Sequence, residues 1–99
     1  MISATYIVSS DSLLITAEGH AGLAPHGEDI VCSAVSALLF ALAEYVDLND
    51  MSSVARVDEG EAHIQASVDF AQAFDLVYTG LCGIERIYPD NVRVKKLDS

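Results

Sequence analysis

Read as apolar against polar positions, residues 2 to 8 alternate. Ile2, Ala4, Tyr6 and Val8 share one side of a period-two pattern, which predicts a half-buried strand. "SSDS" at 9 to 12 predicts a turn and "LLITA" a second strand, so the pair forms a hairpin that ends at Gly19 and His20. From there to Gly27 the chain carries Gly22, Pro25 and Gly27, which is loop chemistry. At about Asp29 the period changes. Val31, Ala34, Val35, Leu38, Leu39, Leu42, Tyr45 and Val46 recur at helical spacing, with Glu28 and Asp29 where a helix start favours negative charge. "DLNDMSS" closes that helix.

"MSSVARVDEGEAHIQASVDF" then reads as a hairpin turning at "DEGE". Phe70, Phe74, Val77, Leu81, Ile84 and Tyr88 form the buried stripe of a second helix, which Pro89 stops. Gly80 and Gly83 inside it suit close packing, and "NVRVKKL" is a last strand. The order ββαββαβ predicts an α+β, two-layer fold with two helices packed on a mostly antiparallel sheet.

The chain has 99 residues, 52% of them hydrophobic, and fits one domain spanning 1 to 99. A domain of this size buries roughly 60 to 65% of its unfolded surface, so a homodimer is expected to add stability. No basic segment leads into a long apolar run, and none approaches the ~20 residues of a membrane span, so a cytoplasmic protein with no membrane partner is expected. There Cys32 and Cys82 are separate reduced thiols. Five basic residues stand against fifteen acidic ones, a formal charge of -10, which speaks against direct nucleic-acid binding. The same imbalance would draw a basic partner.

The candidate chemistry lies between Gly19 and Ser36. Cys32 falls in the first helical turn, where unpaired N–H groups and the positive end of the helix dipole favour a thiolate. His20 sits at a strand end, and the loop between them is long enough to bring its imidazole over the helix start as a general base. Backbone N–H groups around Cys32 are candidate donors to an oxyanion. At helical spacing Asp29, Cys32 or Ser33, and Ser36 fall on neighbouring positions of one face. A plainer reading stands beside this one, with Cys32 a small packed residue and His20 a solvated loop group. A zinc site from His20, His26, Cys32 and Asp29 is chemically conceivable, although the spacing matches no standard pattern. Pattern alone leaves these readings open.

The words "GHAG" and "GEDIVCSAVSAL", with the later "GIERIYPDNVRV", resemble the signature of the ribosomal-processing cysteine proteases, the Prp family. The likeness spans most of the chain, with 44 to 69 matching in element order only. It implies a cysteine endopeptidase with no metal or cofactor, acting on the N-terminal extension of the large-subunit ribosomal protein L twenty-seven, a basic partner. Carried over by position, His20 is the general base and Cys32 the nucleophile, with Gly19, Asp29 and Ser36 in support. On this reading Asp29 orients or charges the dyad, Ser36 lends a hydrogen bond one turn below, and Gly19 permits a tight bend. The resemblance also implies a homodimer and a mobile substrate loop, here Ala21, Gly22, Leu23, Ala24, Pro25, His26 and Gly27. His26 is a second imidazole close to Cys32. His63 is expected to be structural or exposed, and Cys82 a packed thiol. The alternative is a non-catalytic ribosome-associated binding or assembly protein of the same fold.

Overall fold

The computed structural model describes residues 1–25 and 29–99. Strands β1 (Ile2–Val8) and β2 (Ser12–Gly19) precede helix α1 (Ile30–Asn49). Strands β3 (Val54–Asp58) and β4 (Glu61–Ser67) follow, then a short 3-10 turn at Val68–Phe70, helix α2 (Ala71–Ile87) and strand β5 (Val92–Asp98). The sheet runs β3-β4-β2-β1-β5. Neighbours pair antiparallel except β1 and β5, which are parallel. The predicted order, the two layers and the mostly antiparallel sheet are all observed.

The alternation seen in the sequence becomes the two faces of the sheet. Ile2, Ala4 and Tyr6 of β1, Leu13, Ile15 and Ala17 of β2, and Ala62, Ile64 and Ala66 of β4 all point to one buried face. Register carries this across the sheet, with Tyr6 opposite Ile15 and Ile15 opposite Ile64. Both helices cover that face. From α1 come Val31, Val35, Leu39, Leu42, Ala43 and Val46, and from α2 Phe74, Val77 and Leu81. At roughly 1.5 to 3 kcal/mol per fully buried large apolar side chain, this face supplies most of the drive to fold.

Three details depart from the pattern reading. Ala34 and Tyr45, placed on the apolar stripe of α1, are exposed, because the helix rests on the sheet along a narrower line. Asp29 is not helical: its backbone is extended at φ -84 and ψ 106, and α1 begins at Ile30. Of the two helix glycines only Gly80 marks a close approach, since a Cβ there would meet Leu38 Cδ1 at 3.0 Å. By length and composition α1 matches a membrane span, yet it is the docked core helix, with Glu44 and Asp47 among its exposed residues.

Tyr6 brings a hydroxyl into the core. Its hydroxyl donates to Asp75 Oδ1 at 2.9 Å, and its ring stacks on Phe74 with centroids 5.9 Å apart. Burial, then the Asp75 contact, raises its pKa, so the phenol stays a neutral donor.

Candidate active site

One end of the molecule gathers the start of α1, the end of β2, the turn between β3 and β4, and the loop after His20. An open cleft of about 330 Å³ forms there, and its lining includes His20, Gly22, Asp29, Cys32, Ser36 and Gly60. Sequence spacing alone left His20 and Cys32 as a permitted pair, and the fold puts both on the wall of this cleft.

Asp29 organises the cleft floor. As N-cap of α1 its Oδ1 accepts the backbone N–H of Val31 at 2.9 Å and of Cys32 at 3.0 Å. Its Oδ2 accepts those of Leu23 at 2.9 Å and Ala24 at 3.3 Å. The carboxylate is only 4% exposed. The Cys32 N–H bond holds its pKa below the usual carboxylate value, with help from the other three N–H groups, against burial, which works to raise it. Asp29 therefore acts as a staple between loop and helix start.

This arrangement corrects one expectation. The first-turn N–H groups of α1 were candidate oxyanion donors, but those of Val31 and Cys32 are committed to Asp29 Oδ1. That of Ser33 goes to the Asp29 carbonyl at 3.1 Å. A cap this effective consumes the donors that a bare helix end would offer.

Cys32 lies at the third helical position and is partly buried. Its sulfur accepts a hydrogen bond from the backbone N–H of Ala21 at 3.3 Å. Ala21 is itself 3% exposed, and its carbonyl accepts the side-chain amide of Asn91 at 2.9 Å. Asn91, not singled out in the sequence, thus fixes the residue that meets the thiol.

His20 is exposed and packs against the β3–β4 turn. A Cβ at Gly60 would sit 3.0 Å from its Nε2, and Gly60 has φ +76, which only glycine adopts readily. The backbone is pinned on both sides of the ring: Gly19 N–H donates to the Gly60 carbonyl at 2.9 Å, and the Met1 nitrogen donates to the His20 carbonyl. Gly19, expected to permit a tight bend, has a backbone that only glycine adopts readily. At φ +100, a Cβ there would collide with the Met1 carbonyl oxygen.

Among the described residues no hydrogen bond joins His20 to Cys32. Ser36, expected to lend a bond one turn below the thiol, lines the cleft, yet among the described residues its hydroxyl has no hydrogen-bond partner. Of the predicted loop, Ala21 to Pro25 are described, while His26 and Gly27 lie outside the described residues, as does Glu28. Among the described residues no group of His, Cys, Asp and Glu is arranged to hold a metal ion. Cys82 is partly buried in α2, and a hydrogen bond between it and the Tyr78 hydroxyl, followed by burial, raises the tyrosine pKa. His63 is half-buried on β4, opposite Thr16 and Arg56.

The family model for the cysteine protease Prp matches residues 1–93. The chain belongs to the Prp family of cysteine proteases. It is similar to the ribosomal processing cysteine protease Prp of Bacillus subtilis, with 33% identity covering 95% of this chain and 96% of that one. Its fold superposes on the essential ribosomal processing protease Prp of S. aureus bound to a covalently linked product peptide. That match has a TM-score of 0.77 and 26% identity, covering 97% of this chain and 99% of the other. A second S. aureus Prp structure, in complex with a substrate peptide, matches with a TM-score of 0.71, 26% identity and the same coverage.

As a Prp protease the chain is a cysteine protease, and the acidic side of its cleft gains interest. Glu18, Asp58, Glu59 and Glu61 all line it. In the sequence, "DEGE" predicts only a turn. Pairing of β2 with β4, which sets Glu18 opposite Glu61, is what brings these carboxylates to the mouth of the site.

Proposed function

We propose that this chain is an endopeptidase that removes the N-terminal extension of the basic ribosomal protein L twenty-seven, with Cys32 as nucleophile and His20 as general base. The observation that carries the roles is the shared cleft. A strand-end histidine and a helix-start cysteine face one cavity, and the cysteine sulfur already accepts a backbone hydrogen bond. The relatives named as ribosomal processing proteases, one of them with a peptide bound, support the substrate class.

In this mechanism His20 takes the thiol proton, and the sulfur attacks the scissile carbonyl to form a C–S bond. The carbonyl electron pair moves to oxygen. As the pair returns, the C–N bond breaks and the leaving amine takes the proton from the imidazolium. Water then hydrolyses the thioester, assisted by His20. The imidazole rests against Gly60 without bonding Cys32, so peptide binding must draw the two together. Apo geometry of this kind is compatible with general-base catalysis.

The enzyme works in the cytoplasm, where its ribosomal substrate is made, and it works as a homodimer. Large apolar side chains left on the surface, among them Leu48, Leu76 and Ile87, favour self-association. A monomeric mass in light scattering at micromolar concentration would remove the dimer.

The deciding experiment incubates L twenty-seven carrying its extension with wild type, Cys32→Ala and His20→Ala, and follows intact mass. Loss of an N-terminal peptide with wild type alone supports both roles. Binding without cleavage by wild type turns the reading to a ribosome-associated binding or assembly protein of this fold.

A further inference from the structure

We infer that the backbone N–H of Ala21 is the polar hydrogen that serves the Cys32 sulfur in the reaction, and that Asn91 is the positioning residue that holds it there. The inference rests on Cys32 as the nucleophile and goes beyond the dyad.

Three observations converge on Ala21. Its N–H lies 3.3 Å from Cys32 Sγ and donates to it. Its carbonyl, on the other side of the same residue, accepts Asn91 Nδ2 at 2.9 Å, and the residue is 3% exposed. The first-turn donors of α1 are occupied: Val31 and Cys32 N–H by Asp29 Oδ1, and Ser33 N–H by the Asp29 carbonyl. Among the described residues, Ala21 N–H is the backbone donor bonded to the reacting atom.

Asn91 can hold this position because it is itself fixed. Its backbone N–H donates to the Tyr88 carbonyl at 3.0 Å, and its carbonyl accepts the Ile2 N–H at 2.9 Å. The turn that starts β5 and the first residue of β1 therefore anchor one end of the link, and the helix-start cysteine receives the other. The amide must present its nitrogen to Ala21, because a carbonyl oxygen can only accept.

The chemistry follows from charge. A thiolate is a better acceptor than a thiol, so a donor fixed at the sulfur favours the deprotonated nucleophile. When the C–S bond forms, negative charge leaves sulfur for an oxygen attached to the same carbon, within reach of the same N–H. As the C–N bond breaks the charge is discharged, with the proton coming from His20. One preorganised donor then supports both charged species. Removing one such donor typically lowers kcat by about 10²- to 10³-fold, and loosening it without removing it should cost less.

The test compares wild type with Asn91→Ala and Asn91→Asp, the second being nearly isosteric but without the donor. The first readout is the pH profile of Cys32 alkylation by iodoacetamide, which needs no substrate. The second is kcat and KM on a peptide spanning the extension of L twenty-seven. The expected result is an alkylation profile moved to higher pH in both variants, with kcat down at least tenfold and KM within about twofold. Unchanged profiles and unchanged kcat in cooperatively folded variants overturn the inference. If wild type cleaves no peptide, the proposed substrate is at fault, and the alkylation profile still decides the role of Asn91. Should Asn91→Ala fail to fold, Asn91→Asp, which keeps the shape of the turn, decides.

Discussion

The imidazole of His20 lies over the α-carbon of Gly60, so closely that a Cβ there would stand 3.0 Å from Nε2 and 3.3 Å from Cε1. Strand-end histidine and hairpin glycine are forty positions apart in sequence, and the pairing of β2 with β4 makes them neighbours.

Gly60→Ala therefore carries two separable penalties. The backbone at φ +76 disfavours any Cβ by about 1 to 2 kcal/mol, which is worth roughly 4 to 8 °C of Tm per kcal/mol in a domain of this size. The methyl group also displaces the imidazole. We expect kcat on the peptide to fall more than tenfold while Cys32 alkylation in alkaline buffer stays at the wild-type rate. Gly60→Asn, which tolerates positive φ better but still adds a Cβ, should recover Tm and not turnover. Turnover that recovers together with Tm would show that strain alone was responsible.

Asp29 predicts a pH dependence of stability. Its pKa is lowered on folding, first by the Cys32 N–H, so the stability it contributes is fully present above the unfolded value of about 3.9 and is lost as pH falls through the lower folded value. Asp29→Asn should lower Tm at pH 7 and flatten the decline of Tm below about pH 4. The decline will not vanish, because Asp50, bonded to Ser52 and to the Ser67 N–H, is shifted in the same direction. Thermal unfolding followed by circular dichroism between pH 2 and 7 checks this. A variant curve running parallel to wild type would remove Asp29 as the cause.

The two thiols should separate chemically. Cys32 opens onto the cleft with an N–H donor at its sulfur, whereas Cys82 sits mid-helix against Tyr78. Under limiting iodoacetamide near neutral pH, peptide mapping should find Cys32 carboxamidomethylated at least tenfold faster than Cys82. Equal slow labelling would count against an activated nucleophile.

Much of the fold was legible because the period changes at the right places. Alternation to Val8, helical spacing from Val31 and the stripe from Phe74 to Leu81 each translate into an observed element. His20 and Cys32 were legible through residue type and local position, since one ends a strand and the other starts a helix. Asn91, Gly60 and Glu61 were not, because what matters about them is contact across the sheet, and register is a property of the folded pairing. Asp29 was half legible: negative charge at a helix start was readable, but its second pair of hydrogen bonds, to Leu23 and Ala24, depends on how the loop folds back.

The acidic mouth of the cleft carries the last prediction. Glu18, Asp58, Glu59 and Glu61 line the cavity, within a chain of formal charge -10. Arg56 approaches Asp58 at 3.6 Å and Glu61 at 3.8 Å, but such exposed pairs contribute little and leave the mouth negative. A basic peptide is then drawn in by a field that salt screens, with a Debye length of about 10 Å at 0.1 M. Raising ionic strength from 0.05 to 0.5 M should reduce kcat/KM on a lysine-bearing peptide severalfold, mainly through KM, and leave a neutral analogue nearly unaffected. The double variant Glu18→Gln with Glu61→Gln should lose part of that salt sensitivity while keeping kcat. If wild type responds equally for both peptides, the mouth does not select by charge, and the acidity of this chain serves its solubility alone.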